Sequence, residues 1–234
     1  MSKPFADLHI DLNSLQYHPK PDLLKKALLS GGQPERLGLA ELWLSEGIPH
    51  AFSLSPAIYQ QLRTDLSRKL SVGAKDISVV GSSRVGYSLA HYKFGKEFSH
   101  DSDLDLCVVN SGLYANIASD AERFIEHMAS GITTANNQRT QDLWIANCRT
   151  LAENIKRGFV DTNKVPSIKD KYDQVYHIRN SLYFLGERLK VTQGAPHFKS
   201  ISVRVYEDWQ SMASQVARSL FYLTRHFQDQ EAGV

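Results

Sequence analysis

Apolar positions along the chain follow two periods, and the change from one to the other predicts the layout. Leu23, Leu24 and Leu28 mark a helix over about Asp22 to Ser30, halted by Gly31-Gly32. Leu37, Leu39, Leu42 and Trp43 mark a second, from Pro34 to about Leu44, halted near Gly47-Ile48-Pro49. Ser55-Pro56 supplies a capping hydroxyl and a proline at the first helical position, and Ile58, Leu62, Leu66 and Leu70 continue it as one stripe over about residues 56–71. The period then drops to two. Ile77-Ser78-Val79-Val80 predicts a short strand ending at Gly81-Ser82-Ser83, and Leu104 to Val109 a second. After a turn at Asn110-Ser111-Gly112, helical spacing returns over about Ala118 to Ser130, Asp142 to Arg157 and Lys169 to Lys190, with residues 158–168 a loop pinned by Pro166. Lys199 to Tyr206 alternates again, placing Ile201, Val203 and Val205 on one face and Ser202, Arg204 and Tyr206 on the other. A helix from Trp209 to about Gln228 follows.

This order predicts an α/β (α+β) fold: a small mixed sheet with flanking helices and a helical insertion before the last strand. Residues 1–130 with 196–234 then form the sheet domain, and residues 131–195 an inserted helical subdomain. With 42% hydrophobic and 22% charged residues over 234 positions, the chain is neither disordered nor fibrous. No apolar run approaches the 18 or so residues that span a bilayer, so no membrane contact is expected. Asp7 and Asp11 interrupt the stretch where a secretory signal needs apolar residues. Cys107 and Cys148 have no zinc-site spacing and read as the reduced thiols of a cytoplasmic protein. A formal charge of +2 does not by itself argue for nucleic acid. Lys156, Arg157, Lys164, Lys169 and Lys171 could meet a nucleic-acid or acidic-protein acceptor, although solvated helix ends explain them more cheaply.

The chemistry concentrates between Ile77 and Val109. Asp103 and Asp105 are two residues apart on a strand, so both carboxylates share a face and repel one another unless a cation or a raised pKa relieves them. Mg²⁺, with Mn²⁺ able to take its place, favours a few carboxylates together with substrate phosphates, which points to a metal-bound nucleoside triphosphate. Gly81 allows the backbone close to a phosphate, and a helix starting at Ser82 or Ser83 would add free N–H groups. Arg84, with Lys93, Lys96, His91 and His100 in the following loop, are candidate phosphate partners, Arg84 the best placed. Tyr92 and Phe94 are read as packing that loop to the body rather than stacking on a base.

Gly81-Ser82 after a strand, followed by Asp103-Leu104-Asp105-Leu106 on the next, resembles the signature of the DNA polymerase beta-like nucleotidyltransferase superfamily. The resemblance implies that Gly81 and Ser82 hold a triphosphate such as ATP and that Asp103 and Asp105 bind divalent metal and are the catalytic pair. It further implies transfer of a nucleoside monophosphate to a hydroxyl on a protein, nucleic acid or small molecule. Two departures stand out. Gly81 and Asp103 are 22 positions apart, longer than the compact signature, and the polar face of the strand at Lys199 to Tyr206 carries no third carboxylate. Arg204 stands there instead, able to hold a phosphate or pair with Asp105, and Asp101, Glu207 and Asp208 are the nearby substitutes. A degenerate domain that binds nucleotide or a partner as a regulator, in a toxin–antitoxin or antiviral (phage-defence) system, is the alternative expectation.

Overall fold

The computed structural model describes residues 18–44 and 46–233. Asp7 and Asp11 lie outside the described residues, as does the side chain of Trp43. No helix among the described residues is long and apolar enough to cross a membrane.

Four strands form one mixed sheet in the order β1-β2-β4-β3: β1 (Ile77–Val80), β2 (Leu104–Val109), β3 (Phe159–Asp161) and β4 (Ile201–Tyr206). Around it stand α1 (Pro21–Ser30), α2 (Gln33–Gly38), α3 (Pro56–Leu70), α4 (Ser82–Val85), α5 (Ser111–Ala129), α6 (Gln138–Lys156), α7 (Asp173–Lys190) and α8 (Trp209–Glu231). The fold is therefore the expected mixture of helices and a small mixed sheet. β2 runs antiparallel to β1, with Val80 opposite Asp105, and parallel to β4, with Asp105 opposite Ser202. The parallel step needs a crossover, which α5, α6 and α7 supply.

Three local expectations are corrected. Residues 158–168 are not all loop, because Phe159–Asp161 pairs antiparallel with β4, Phe159 opposite Tyr206 and Asp161 opposite Arg204. Three residues are too few to show a period, and the strand exists through its tertiary partner. Asn110-Ser111-Gly112 is not a turn but the start of α5, seven residues before the predicted Ala118: Asn110 Oδ1 accepts a hydrogen bond from the Leu113 N–H at 3.0 Å. The second helix stops at Gly38 and passes into a π-helical turn over Leu39–Trp43.

Alternation divides the sheet between two environments. Ile77, Val79, Leu104, Leu106, Val108, Val203 and Val205 point into the main core, where Leu66, Ile117, Phe124, Val175 and Ile178 of the helices meet them. Truncating a residue such as Leu106 to alanine costs about 2–5 kcal/mol by lost transfer energy and cavity formation. Segment 131–195, expected as an inserted helical subdomain, supplies β3 as well as helices, and its Leu151, Val160, Tyr172 and Leu182 belong to the same core. On the opposite face Cys107, Val109, Phe159 and Tyr206 are covered by Met212 of α8. Burial there pushes the Cys107 thiol up to about 12, which leaves it inert at neutral pH. A third cluster joins Leu24, Leu28, Leu39, Leu220, Leu223 and Phe227 to Val85 and Tyr87, and thereby anchors the loop that follows β1. Only one end of the second sheet face stays polar.

Candidate active site

That polar end is where β1 stops and β2 and β4 begin. Asp105 enters the face from β2 and Asp103 precedes it by one pleat, with the matching positions of β4 held by Ser202 and Ser200. Ser200 Oγ donates to Asp103 Oδ1 at 2.6 Å and Ser202 Oγ donates to Asp105 Oδ1 at 2.6 Å. Each serine fixes one oxygen of its carboxylate. β1 ends opposite Asp105, and the chain leaves through Gly81 at φ 67° and ψ −150°, a region that only glycine occupies without strain. A Cβ there would lie 2.9 Å from Asp105 Oδ2. The absent side chain thus leaves the second oxygen of Asp105 facing backbone instead of a methyl group.

Burial raises the pKa of Asp105. The Ser202 hydrogen bond and the Arg204 charge oppose that rise, while Asp103 and Asp161 add to it. The carboxylate is held in a place that disfavours its own charge, and a cation would relieve it. Two hard oxygen donors on one sheet face fit Mg²⁺ or Mn²⁺ shared with a substrate phosphate, and do not make an all-protein cage. Among the described residues no group of three His, Cys, Asp or Glu side chains is arranged to hold a metal.

Comparison of the chain with protein-family models, curated proteins and solved structures returned no match.

The other sequence-derived candidates divide. Ser82 and Ser83 begin α4 beside Asp105, as expected, but α4 is a single turn and supplies little macrodipole, and Ser83 Oγ is spent on the Val80 carbonyl at 2.9 Å. Arg84 is corrected from a phosphate partner to an interior residue. It is 2% exposed and donates to the Gly47 carbonyl at 2.9 Å, so it ties α4 to the segment before α3. Arg204 does stand on the polar face, with its side chain 48% exposed, but it faces Asp161 Oδ2 at 3.6 Å. Asp101 is exposed near the His100 ring at 3.5 Å. Phe94 packs on Phe227, ring centroids 4.8 Å apart, while Tyr92 is exposed.

Glu207 and Asp208 are excluded as third carboxylates. They follow the far end of β4, roughly 17 and 20 Å from Ser202 at about 3.3 Å per residue. Asp208 caps α8 there, accepting from the Ser211 N–H at 2.7 Å, and this bond holds its carboxyl below the ordinary value. Asp161 was missed by sequence reasoning because β3 was. It shares the polar face, but two strand spacings, about 10 Å, separate it from β2, too far for one ion to bridge. Ser202 was legible in kind, since the alternation of β4 put it on the polar side, and only the β2–β4 register reveals it and Ser200 as carboxylate partners.

Proposed function

We propose that the chain is a Mg²⁺-dependent nucleotidyltransferase that moves a nucleoside monophosphate from a nucleoside triphosphate, ATP among the candidates, to a hydroxyl acceptor in the cytoplasm. The observation that carries this reading is the meeting of Gly81 and Asp105: a glycine-only backbone closes on one carboxylate oxygen while Ser202 holds the other. Asp103 and Asp105 would hold the divalent ion, which when bound neutralises phosphate charge and polarises the α-phosphate. Gly81 and Ser82 would let the triphosphate lie against the backbone, and Arg204 is the cation on the same face able to swing toward it from Asp161. In the reaction the acceptor oxygen forms a bond to the α-phosphorus, the bond to the bridging oxygen breaks, pyrophosphate leaves with the electron pair, and the hydroxyl proton passes to solvent. Such a transfer relies on positioning and charge neutralisation more than on covalent chemistry with the protein.

One observation favours a second reading. β4 presents serines and an arginine where a third carboxylate is implied by resemblance, and Asp161 is engaged with Arg204. A domain that binds nucleotide without transferring it, as a regulator, fits that substitution.

Calorimetric titration of each of the four nucleoside triphosphates, with and without Mg²⁺, tests both. Mg²⁺-dependent heats in the wild type that vanish in Asp103→Ala/Asp105→Ala are expected, and release of pyrophosphate on adding an acceptor separates the enzyme from the regulator. No binding by any triphosphate would sink both.

A further inference from the structure

A groove of about 270 Å³ opens between α7 and the entry to β4, one residue away from the paired aspartates. Gly186 of α7 faces Ile201 of β4 across the groove's inner end, where an added Cβ would make an ordinary contact, 3.5 Å from Ile201 Cγ2. Its floor is apolar, made by Leu182, Phe198 and Ile201, and its wall carries the ring of Tyr183, which is 61% exposed. Three cations surround the floor. Lys190 is bonded to Glu187 at 2.7 Å, the one carboxylate in the groove; Arg179 reaches the Val165 carbonyl at 3.4 Å; and Lys199 makes no ion pair among the described residues. The lining therefore holds an excess of positive charge over a flat apolar slot.

Ser200 belongs to both places. It lines the groove and its hydroxyl donates to Asp103 Oδ1 at 2.6 Å. The groove lies on the α7 side of β4, and its occupant reaches the carboxylate pair around Ser200, at the start of that strand. An exposed aromatic ring with an apolar floor takes a base by stacking, and a cationic rim takes the phosphates on either side of it. An acidic peptide would use the rim but leave the slot unfilled. The volume lies just under the range of about 300–1,000 Å³ of sites for drug-sized ligands, which suits one nucleotide unit rather than a folded partner.

We propose that this groove binds the terminal nucleotide of a single-stranded nucleic acid. In the transferase reading, on which only its catalytic consequence rests, that strand is the acceptor, its end passing around Ser200 at the start of β4 to bring the terminal hydroxyl toward Asp103.

The test is fluorescence anisotropy of 5′-labelled ten-nucleotide DNA and RNA single strands with the full chain, without triphosphate, at low and high salt. Binding that weakens with salt is expected, with the tighter of the two strands naming the sugar. Tyr183→Ala and Lys199→Glu, both at exposed positions, should each weaken it about tenfold while leaving the melting temperature and any Mg²⁺–triphosphate heats unchanged. If neither strand binds, or if both variants bind as well as wild type, the proposal is overturned. If strands bind through the groove but no triphosphate binds at Asp103 and Asp105, the groove assignment stands and the transferase reading falls.

Discussion

From β4, the strand that pairs parallel with β2, Ser202 donates its hydroxyl to Asp105 Oδ1 at 2.6 Å. The partner of the metal-binding candidate is thus a neutral donor, and the pKa of Asp105 becomes the balance of burial with four neighbouring groups. Ser202→Ala removes a hydrogen bond to the charged form and should raise that pKa further. Arg204→Gln should also raise it, whereas Asp161→Asn, which removes a like charge, should lower it. Carboxyl-carbon NMR titration of the three variants reads all these changes, and any one of the wrong sign breaks the account.

The raised pKa has a consequence for stability. Because the folded value lies above the unfolded one, the contribution of Asp105 is whole below the ordinary carboxylate range and is lost as pH rises through the raised value. At neutral pH without divalent metal, Asp105→Asn should therefore unfold later than wild type, by about 1.4 kcal/mol for every tenfold by which folding weakens the acid. At pH 3 the two should coincide. Thermal melts at the two pH values check this, and an equal gap at both would locate the effect elsewhere.

Gly81→Ala meets two obstacles at once, a backbone conformation at φ 67° and ψ −150° and a methyl 2.9 Å from Asp105 Oδ2. The strain alone costs about 1–3 kcal/mol. Urea denaturation should show that loss, and triphosphate heats should fall below detection even where the variant is folded. A variant as stable and as competent as wild type would remove the central observation.

Arg84→Ala separates an interior role from a ligand role. The side chain is buried and bonded to the Gly47 carbonyl, so truncation should lower stability by about 2–5 kcal/mol, in the range for large buried side chains. Denaturant midpoints should drop, with triphosphate affinity little changed under conditions where the variant is folded. The opposite pattern, intact stability with lost affinity, would restore Arg84 to the phosphate loop.

Asp208→Ala should cost about 1 kcal/mol as a lost cap of α8 and leave the polar sheet end untouched. Loss of metal-dependent binding in a stable Asp208→Ala chain would contradict its placement at the far end of β4.

Much of the site was readable before any coordinates. β1 and β2 were legible to the residue because apolar alternation over Ile77–Val80 and Leu104–Val109 is interrupted only by Ser78 and Asp105 on the opposite side. That same parity placed Asp103 with Asp105. The burial of Arg84 was hidden because its partner, the Gly47 carbonyl, is 37 positions away and carries no side-chain signal. The start of α5 was hidden by chemistry that serves two purposes: Asn and Gly mark turns, yet an Asn side chain also accepts the first orphan N–H of a helix. Asp161 was hidden by length, since β3 has three residues and acquires its conformation from β4.

β4 lies between β2 and β3 although it is the last of the four strands in the chain. During synthesis the β1–β2 pair and the β3 segment are complete while the strand that joins them is still unmade. Until about residue 206 has emerged, Asp103 and Asp105 lack their serine partners, and two strand edges wait open for the same insertion. Parallel pairing between residues some hundred positions apart is among the slower steps a chain can take. The two aspartates thus acquire their serine partners only once β4 has been made and inserted, and a chain that stops short of it carries the carboxylates without them.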